Sequence, residues 1–371
     1  MHTPRFAAVS LALLAPLAAG AQSAARITPE VLTDKLDHPW GVAFIGDGRM
    51  LVTERPGRLR VVQANGELGA PLQGLPKIDA GGQGGLLDVI TDSGFARNRT
   101  LYFCFSEPAA SGSGNSTALA SARLSDDLKR LEQVKVIFSQ KPKYGSNAHF
   151  GCRIVEHGDG TLFLTMGDRY NRKEDAQKLD NHHGKIVRIR KDGSVPKDNP
   201  FVGKQGALPE IWSYGHRNAQ GAALDANGRY WMHEHGAQGG DEINRPEAGK
   251  NYGWPVITHG ENYGGGKIGE GISEKAGMEQ PVHHWTPSIA PSGMAFLKSD
   301  KYGKDWQGSL FVGSLKFRYL DRIELRDGKV VKEEKLLADH GARIRDVKEG
   351  PDGLLYVLTD ERRGELIRLR P

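Results

Sequence analysis

GAALDANGRYWMHEHG, residues 221–236, carries the reading on which the fold turns. Ala222, Leu224 and Ala226 alternate with Ala223 and Asp225, the pattern of a strand with two different faces. Asn227-Gly228 then supplies a tight turn, and Tyr230-Trp231-Met232 begins a second strand. The same phrase recurs as GVAFIGDGRMLVTER (41–55), LLDVITDSGFARNRTLYFCFSE (86–107) and CRIVEHGDGTLFLTMGD (152–168). It returns as GMAFLKSDKYGKDWQGSLFVGSL (293–315) and DVKEGPDGLLYVLTD (346–360). Six copies at roughly 45–80-residue intervals predict an all-β chain, a six-bladed β-propeller with loop insertions. Further strands follow in GKIVRIRKDG (184–193) and RGELIRLRP (363–371). Such a ring must close, and the natural closure pairs an N-terminal strand around Ile27–Leu32 with Leu366–Leu369 of the last blade. A pair of β-sandwiches would leave six repeats of one hairpin phrase unexplained.

Composition agrees with one large all-β unit, residues 22–371. The 48 glycines and 19 prolines cut the chain of 371 residues into short pieces, and no long segment of helical period stands out. The net charge is only +5, with basic residues mixed among 45 acids, so no nucleic-acid footprint is expected. Residues 1–21 read as a secretory signal peptide: a basic head at Arg5, an apolar run from Phe6 to Ala19, and small residues before a cleavage point near Ala21. The run is shorter than a membrane span and is broken by Pro16. A periplasmic or secreted protein without a membrane span is expected. Cys104 and Cys152 would meet an oxidising compartment; they can pair or stay buried as small apolar residues, and the sequence leaves both open.

Several residues carry chemistry. Arg217-Asn218 stands before one strand of the central hairpin, and a glycine-rich loop ending in Asp241-Glu242 follows the next. A cation with an amide, beside an acidic loop rich in carbonyls, suits an anionic ligand and a hard metal ion. His149 precedes the inner strand of the third repeat and Asp168 ends its partner strand, so the carboxylate can orient the imidazole. Arg343 and Arg345, two residues apart in a strand, point to one face. With Arg217 and Lys316 they occupy corresponding blade positions, which in a propeller converge on one channel mouth. His233 and His235 flank Glu234 but lack a third ligand for zinc. His182-His183 read as loop residues, and Arg153 as structural.

GHRN-QG (215–221), E-x-G, DEIN (241–244) and NYGW (251–254) resemble the soluble quinoprotein sugar dehydrogenases. These are PQQ-dependent, Ca2+-binding six-bladed propellers of the aldose sugar dehydrogenase group, and the similarity runs roughly from Leu36 to Leu369. The resemblance implies that His149, in H-x-G-x-R, is the catalytic base and Asp168 its partner. It implies that Arg217 stabilises charge developing on the quinone. Gln83, His149, Arg217, Asn218, Tyr263, Lys316, Arg343 and Arg345 would bind the cofactor, with Ser314 added only for its place beside the lysine. Main-chain carbonyls of Gly236 and Ala237 would hold one calcium ion. Glu242 and the Tyr252 carbonyl would hold a second, whose remaining acidic ligand is unmatched beyond Glu261 and Asn262. Trp285 is open between a substrate wall and simple packing.

The implied reaction takes an aldose to its aldonolactone by hydride transfer from C1 to PQQ, with electrons leaving to an external acceptor. Two other classes compete. A metal-dependent lactonase-type propeller hydrolase explains the acidic loop but leaves four converging cations without a use. A non-enzymatic secreted binding propeller leaves the His–Asp pair without one.

Overall fold

The structure, a computed structural model, describes residues 27–371, so the proposed leader lies outside the described residues. Six antiparallel sheets follow one another along the chain. Blade 1 has three strands, Pro39–Gly46, Arg49–Glu54 and Arg58–Val62. Blades 2 to 5 have four strands each. They begin with the strands Leu86–Thr91, Ile154–Glu156, Ala219–Leu224 and Pro291–Phe296. Blade 6 comprises Ile344–Glu349, Leu355–Thr359 and Gly364–Arg370, completed by the N-terminal strand Thr28–Leu36. All six hairpin phrases read from the sequence are the first two strands of a blade.

The turns form for local reasons. In the central hairpin Asp225 Oδ1 accepts the N–H groups of Asn227 (2.9 Å) and Arg229 (3.0 Å), closing the chain between Leu224 and Tyr230. Asp159 does the same work for Thr161 in blade 3. The ring is closed as the sequence suggested. Val31 pairs with Ile367 and Thr33 with Leu366. Glu30 adds ion pairs to Arg368 (2.9 Å) and Arg370 (2.5 Å) across the seam.

Apolar side chains do not gather in one central core. Among the described residues they form six clusters, one at each blade interface, and a small seventh of Ala176, Ala237, Trp254 and Ile268. The strand Thr100–Pro108 shows how period 2 builds this. Leu101, Phe103 and Phe105 pack toward blade 1, while Tyr102 and Cys104 pack toward blade 3. Strands covered on both faces therefore read as continuous apolar runs rather than as clean alternation.

The ring's axis is polar. Arg153, buried at the head of blade 3, pairs with Asp88 of blade 2 (2.9 Å) and Asp346 of blade 6 (3.1 Å). Its Nε donates to the Gln220 carbonyl of blade 4 (3.0 Å), and its guanidinium lies 4.3 Å from the Trp40 ring centroid. Arg153 is structural, as read, and it ties blades that are far apart in sequence.

Cys104 and Cys152 form a disulfide between blades 2 and 3, with Cα atoms 5.6 Å apart and a sequence separation of 48. Closing a loop of that length removes about 4 kcal/mol of unfolded-state entropy in the chain-entropy model. The double variant Cys104→Ala/Cys152→Ala is expected to lose about 2–4 kcal/mol of unfolding free energy. A urea midpoint equal to that of the parent would show that the bridge contributes nothing to stability.

Candidate active site

At one mouth of the channel lies a cavity of about 1010 Å³ with wall residues from all six blades. Arg55 comes from blade 1, Gln83 from the approach to blade 2, and Phe150 and Gly151 from the approach to blade 3. Asn218, Lys316, Arg343 and Arg345 come from blades 4 to 6. Four cations and two carboxylates, Glu261 and Asp360, give this wall a net positive charge. Asp360 is the shared counter-ion: Arg345 (2.5 Å), Arg343 (3.5 Å), Arg55 (3.9 Å) and His38 (3.0 Å) all reach it. Burial pushes its carboxyl upward, but Arg345 and Arg55 hold it well below the carboxylate range.

His149 and Asp168 stand immediately behind this wall. His149 Nδ1 lies 2.6 Å from Asp168 Oδ1, and no protein partner is on Nε2 among the described residues. The aspartate is fixed from its other side by Trp254, whose Nε1 donates to Oδ2 (2.7 Å), and by the Tyr170 N–H on Oδ1 (2.8 Å). The His149 N–H donates to Gln83 Oε1 (2.8 Å). Two loops must press together for this, and Gly167 permits it: a Cβ there would sit 2.0 Å from the His149 carbonyl oxygen. His149, Cys152, Arg169 and Tyr170 all hold positive φ, a clustering of backbone strain around the pair. Arg169 secures one loop by donating to the carbonyls of Ala148 and Asn115 (both 3.1 Å).

Burial lowers the His149 pKa, Asp168 raises it, and the charges of Arg217 and Arg169 lower it again; the net direction is down. The imidazole is therefore neutral at pH 7, with Nδ1–H facing Asp168 and a free lone pair on Nε2.

Arg217 lines a smaller cavity and is hydrogen-bonded to residues of the main wall. Its Nη1 donates to Gly236 O (2.5 Å) and His235 O (3.2 Å), and its Nη2 reaches the Tyr263 hydroxyl (3.3 Å). Glu234, of E-x-G, accepts the Arg217 N–H (2.6 Å) and a His216 ring contact (3.0 Å), which sets where the arginine begins. Tyr263 is 60% exposed, its ring presented on the rim.

Gly236 sits in a nest of carbonyls: a Cβ on it would meet Gly239 O at 2.2 Å and Gly240 O at 2.4 Å. Gly236 and Ala237 line the main cavity. The smaller cavity, about 10 Å³ and thus of single-ion or single-water size, is lined by Glu234, Gly240, Glu242, Tyr252 and Thr258 among others. Burial, then the charge of Glu234, pushes the Glu242 carboxyl up to about 8. Glu261 is elsewhere, bonded to Gln238 (2.8 Å) on the main wall. Among the described residues no three His, Cys, Asp or Glu side chains converge as a metal cluster, so a cation here would rest mainly on main-chain oxygens.

One sequence expectation needs correction, and one open alternative is resolved. Ser314 is fully buried, donates to the Ile289 carbonyl (2.8 Å), accepts the Phe317 N–H (3.1 Å), and forms no part of the cavity wall. Adjacency to Lys316 in sequence did not place it on the same face. Trp285 is packed between blades 4 and 5, with Nε1 donating to Glu333 (2.6 Å), so packing accounts for it. His182 and His183 do lie in a loop, but buried; His183 bridges Asp175 (3.0 Å) and the Pro142 carbonyl (3.1 Å). Sequence reasoning missed Arg55, Arg169, Gln220, Trp254 and Asp360. Arg55 and Asp360 had a visible signal, since each follows directly on the second strand of a copy of the repeated phrase.

A family model described as Glucose / Sorbosone dehydrogenase matches residues 36–368. The chain is 47% identical over 374 residues to the aldose sugar dehydrogenase YliI of Escherichia coli K12, covering all of both chains. The crystal structure of the soluble aldose sugar dehydrogenase from Escherichia coli in its apo form superposes with a TM-score of 0.89 at 48% identity, covering 93% of this chain and 99% of that one. The PQQ-bound aldose sugar dehydrogenase of Streptomyces coelicolor gives 0.75 at 27% identity, covering 94% and 99%.

Proposed function

The chain belongs to the glucose/sorbosone dehydrogenase family, and from that premise we propose that it oxidises aldose sugars at C1 to aldonolactones, with PQQ and Ca2+ as cofactors. Electrons would pass to an external acceptor. The observation that carries this reading is the neutral, Asp168-oriented His149 set against a cavity lined by four cations.

The residues present suit both groups. PQQ is a flat ortho-quinone with three carboxylates, and Lys316, Arg343 and Arg345 offer cations from two blades, with Arg55 from a third. Gln83 and Asn218 add amides, and the exposed Tyr263 ring offers a flat partner. The carbonyls of Gly236 and Ala237 suit a calcium ion, and the Gly236 oxygen, though held by Arg217, keeps a second lone pair. Glu242 and the Tyr252 carbonyl would take the second ion, and the raised Glu242 pKa is the response of a buried carboxyl lacking a counter-ion. When bound, the quinone supplies the hydride acceptor and the calcium a Lewis acid.

The protein's own part is positional and electrostatic. His149 Nε2 takes the proton of the anomeric hydroxyl, while Asp168 fixes the tautomer through Nδ1 and stabilises the resulting imidazolium. Trp254 and the Tyr170 N–H keep the carboxylate from turning. Arg217 is a fixed cation available to oppose negative charge developing at its end of the cavity. Residues 1–21 as an export leader, a single domain over 22–371, and a periplasmic or secreted setting belong to the same proposal. Among the described residues no helix is long and apolar enough to cross a membrane.

The test is dye reduction by chelator-treated protein with glucose and other aldoses, adding PQQ, Ca2+, both or neither. Activity is expected only with both, and Ca2+ alone is expected to raise the melting temperature. Failure to oxidise any aldose with both present would overturn the reading. Lactone hydrolysis with metal alone would then support the hydrolase alternative.

A further inference from the structure

The turn that carries Tyr263 is held by few attachments. Gly264, Gly265 and Gly266 all have positive φ, and a Cβ on any of them would meet nothing within 4 Å, so the turn projects without packing. Internally it is tied by the Asn262 N–H on the Gly266 carbonyl and the Gly265 N–H on the Asn262 carbonyl (both 2.9 Å). Asn262 Nδ2 donates to the Lys267 carbonyl (2.7 Å). Among the described residues, every hydrogen bond that leaves 261–267 ends on Arg217 or Gln238. Arg217 reaches only the tyrosine hydroxyl (3.3 Å). Gln238 holds the main chain: its N–H donates to the Glu261 carbonyl (2.9 Å), and its carbonyl accepts the Glu261 N–H (3.1 Å). Its side chain uses both ends of the amide, Nε2 donating to Glu261 Oε1 (2.8 Å) and Oε1 accepting the Gly264 N–H (3.1 Å). Gln238 follows directly on Gly236-Ala237 and shares the cavity wall with them, Glu261 and Tyr263.

A glycine-rich turn left loose samples many conformations, and a ring mounted on it meets a flat ligand only part of the time. Fixing the chain on both sides of the ring removes that cost before the ligand arrives. The Gln238 amide does this, since Glu261 and Gly264 flank Tyr263 in the chain. We propose that Gln238 is a positioning residue for cofactor binding: it clasps the turn so that the Tyr263 ring is already placed for the flat face of the quinone. The main-chain bridge to Glu261 does not depend on the side chain at 238, so the amide is the part that a substitution removes. The inference rests on the PQQ reading above.

The test titrates PQQ into the Ca2+-saturated protein, followed by absorbance. Gln238→Ala is expected to weaken PQQ binding about 10-fold, the scale of the two exposed hydrogen bonds it removes. The swap Gln238→Glu/Glu261→Gln keeps the net charge, leaves a carboxylate oxygen to accept the Gly264 N–H, and reverses the direction of the other bond. It should bind PQQ as the parent does. In a Tyr263→Ala background, Gln238→Ala should cause no further loss, because the ring that it places is gone. Unchanged affinity in Gln238→Ala, a swap as weak as Gln238→Ala, or the same loss with and without Tyr263 would overturn the proposal. If the parent binds no PQQ, the function proposed above fails, and tryptic cleavage after Lys267 in the unloaded protein decides the clasp independently. Gln238→Ala is expected to speed that cleavage about 5-fold, with the swap restoring the parent's rate. An unchanged rate in Gln238→Ala overturns the clasp.

Discussion

Replacing His149 with alanine is expected to lower kcat/KM for aldose oxidation by about 10²–10⁴-fold, the usual range for loss of a positioned general base. The variant should still fold and still take up PQQ, because the cations of the wall come from other blades. The pH profile tests the same assignment. The His149 pKa is held below its ordinary 6.5, so the working neutral form persists as the pH falls past that value, and kcat/KM drops only in more acidic solution. Asp168 raises that pKa, so Asp168→Asn should shift the acid limb to still lower pH as well as slow the reaction. An acid limb unmoved by Asp168→Asn, or full activity in His149→Ala, would assign the proton transfer to another group.

The second large effect is on stability. Arg153→Met is expected to destabilise the protein by about 3–5 kcal/mol, the cost of leaving partners of a buried ion pair uncompensated. The side chain is 1% exposed and faces the carboxylates of Asp88 and Asp346, both fully buried. Methionine retains much of the volume beside Trp40, so the loss reports on charge more than on packing. The double variant Arg153→Met/Asp346→Asn should recover part of it, because one of the two stranded carboxyls is gone. Urea unfolding measures both. If the double variant is no more stable than the single one, electrostatics at the axis is not what holds these blades together.

The fold was legible because its signals are local. Asp225 and Asp159 close their own turns within a few residues, and alternation in strands such as Tyr230-Trp231-Met232 needs only neighbours. The ring closure was legible for another reason: six blades leave a single place for an extra strand at each end. The site was legible where a motif carried it and opaque where contacts cross blades. Trp254 lies in a motif recognised from sequence, yet its role is an indole bond to an aspartate 86 residues earlier. Arg55 and Asp360 meet across the ring seam, and the Cys104–Cys152 bridge depends on a Cα separation that spacing does not reveal. Ser314 failed because position beside a functional residue says nothing about which face a side chain takes.

The seam in blade 6 has a topological meaning. Thr28 is paired with Arg370, so the two ends of the described chain lie one strand spacing apart, about 5 Å between paired Cα atoms. The described chain is very nearly a circle cut at one point. A short tie across that gap, with new termini opened in an exposed insertion between blades, would leave every sheet intact. Which blade comes first is then a property of the gene, and not of the folded ring.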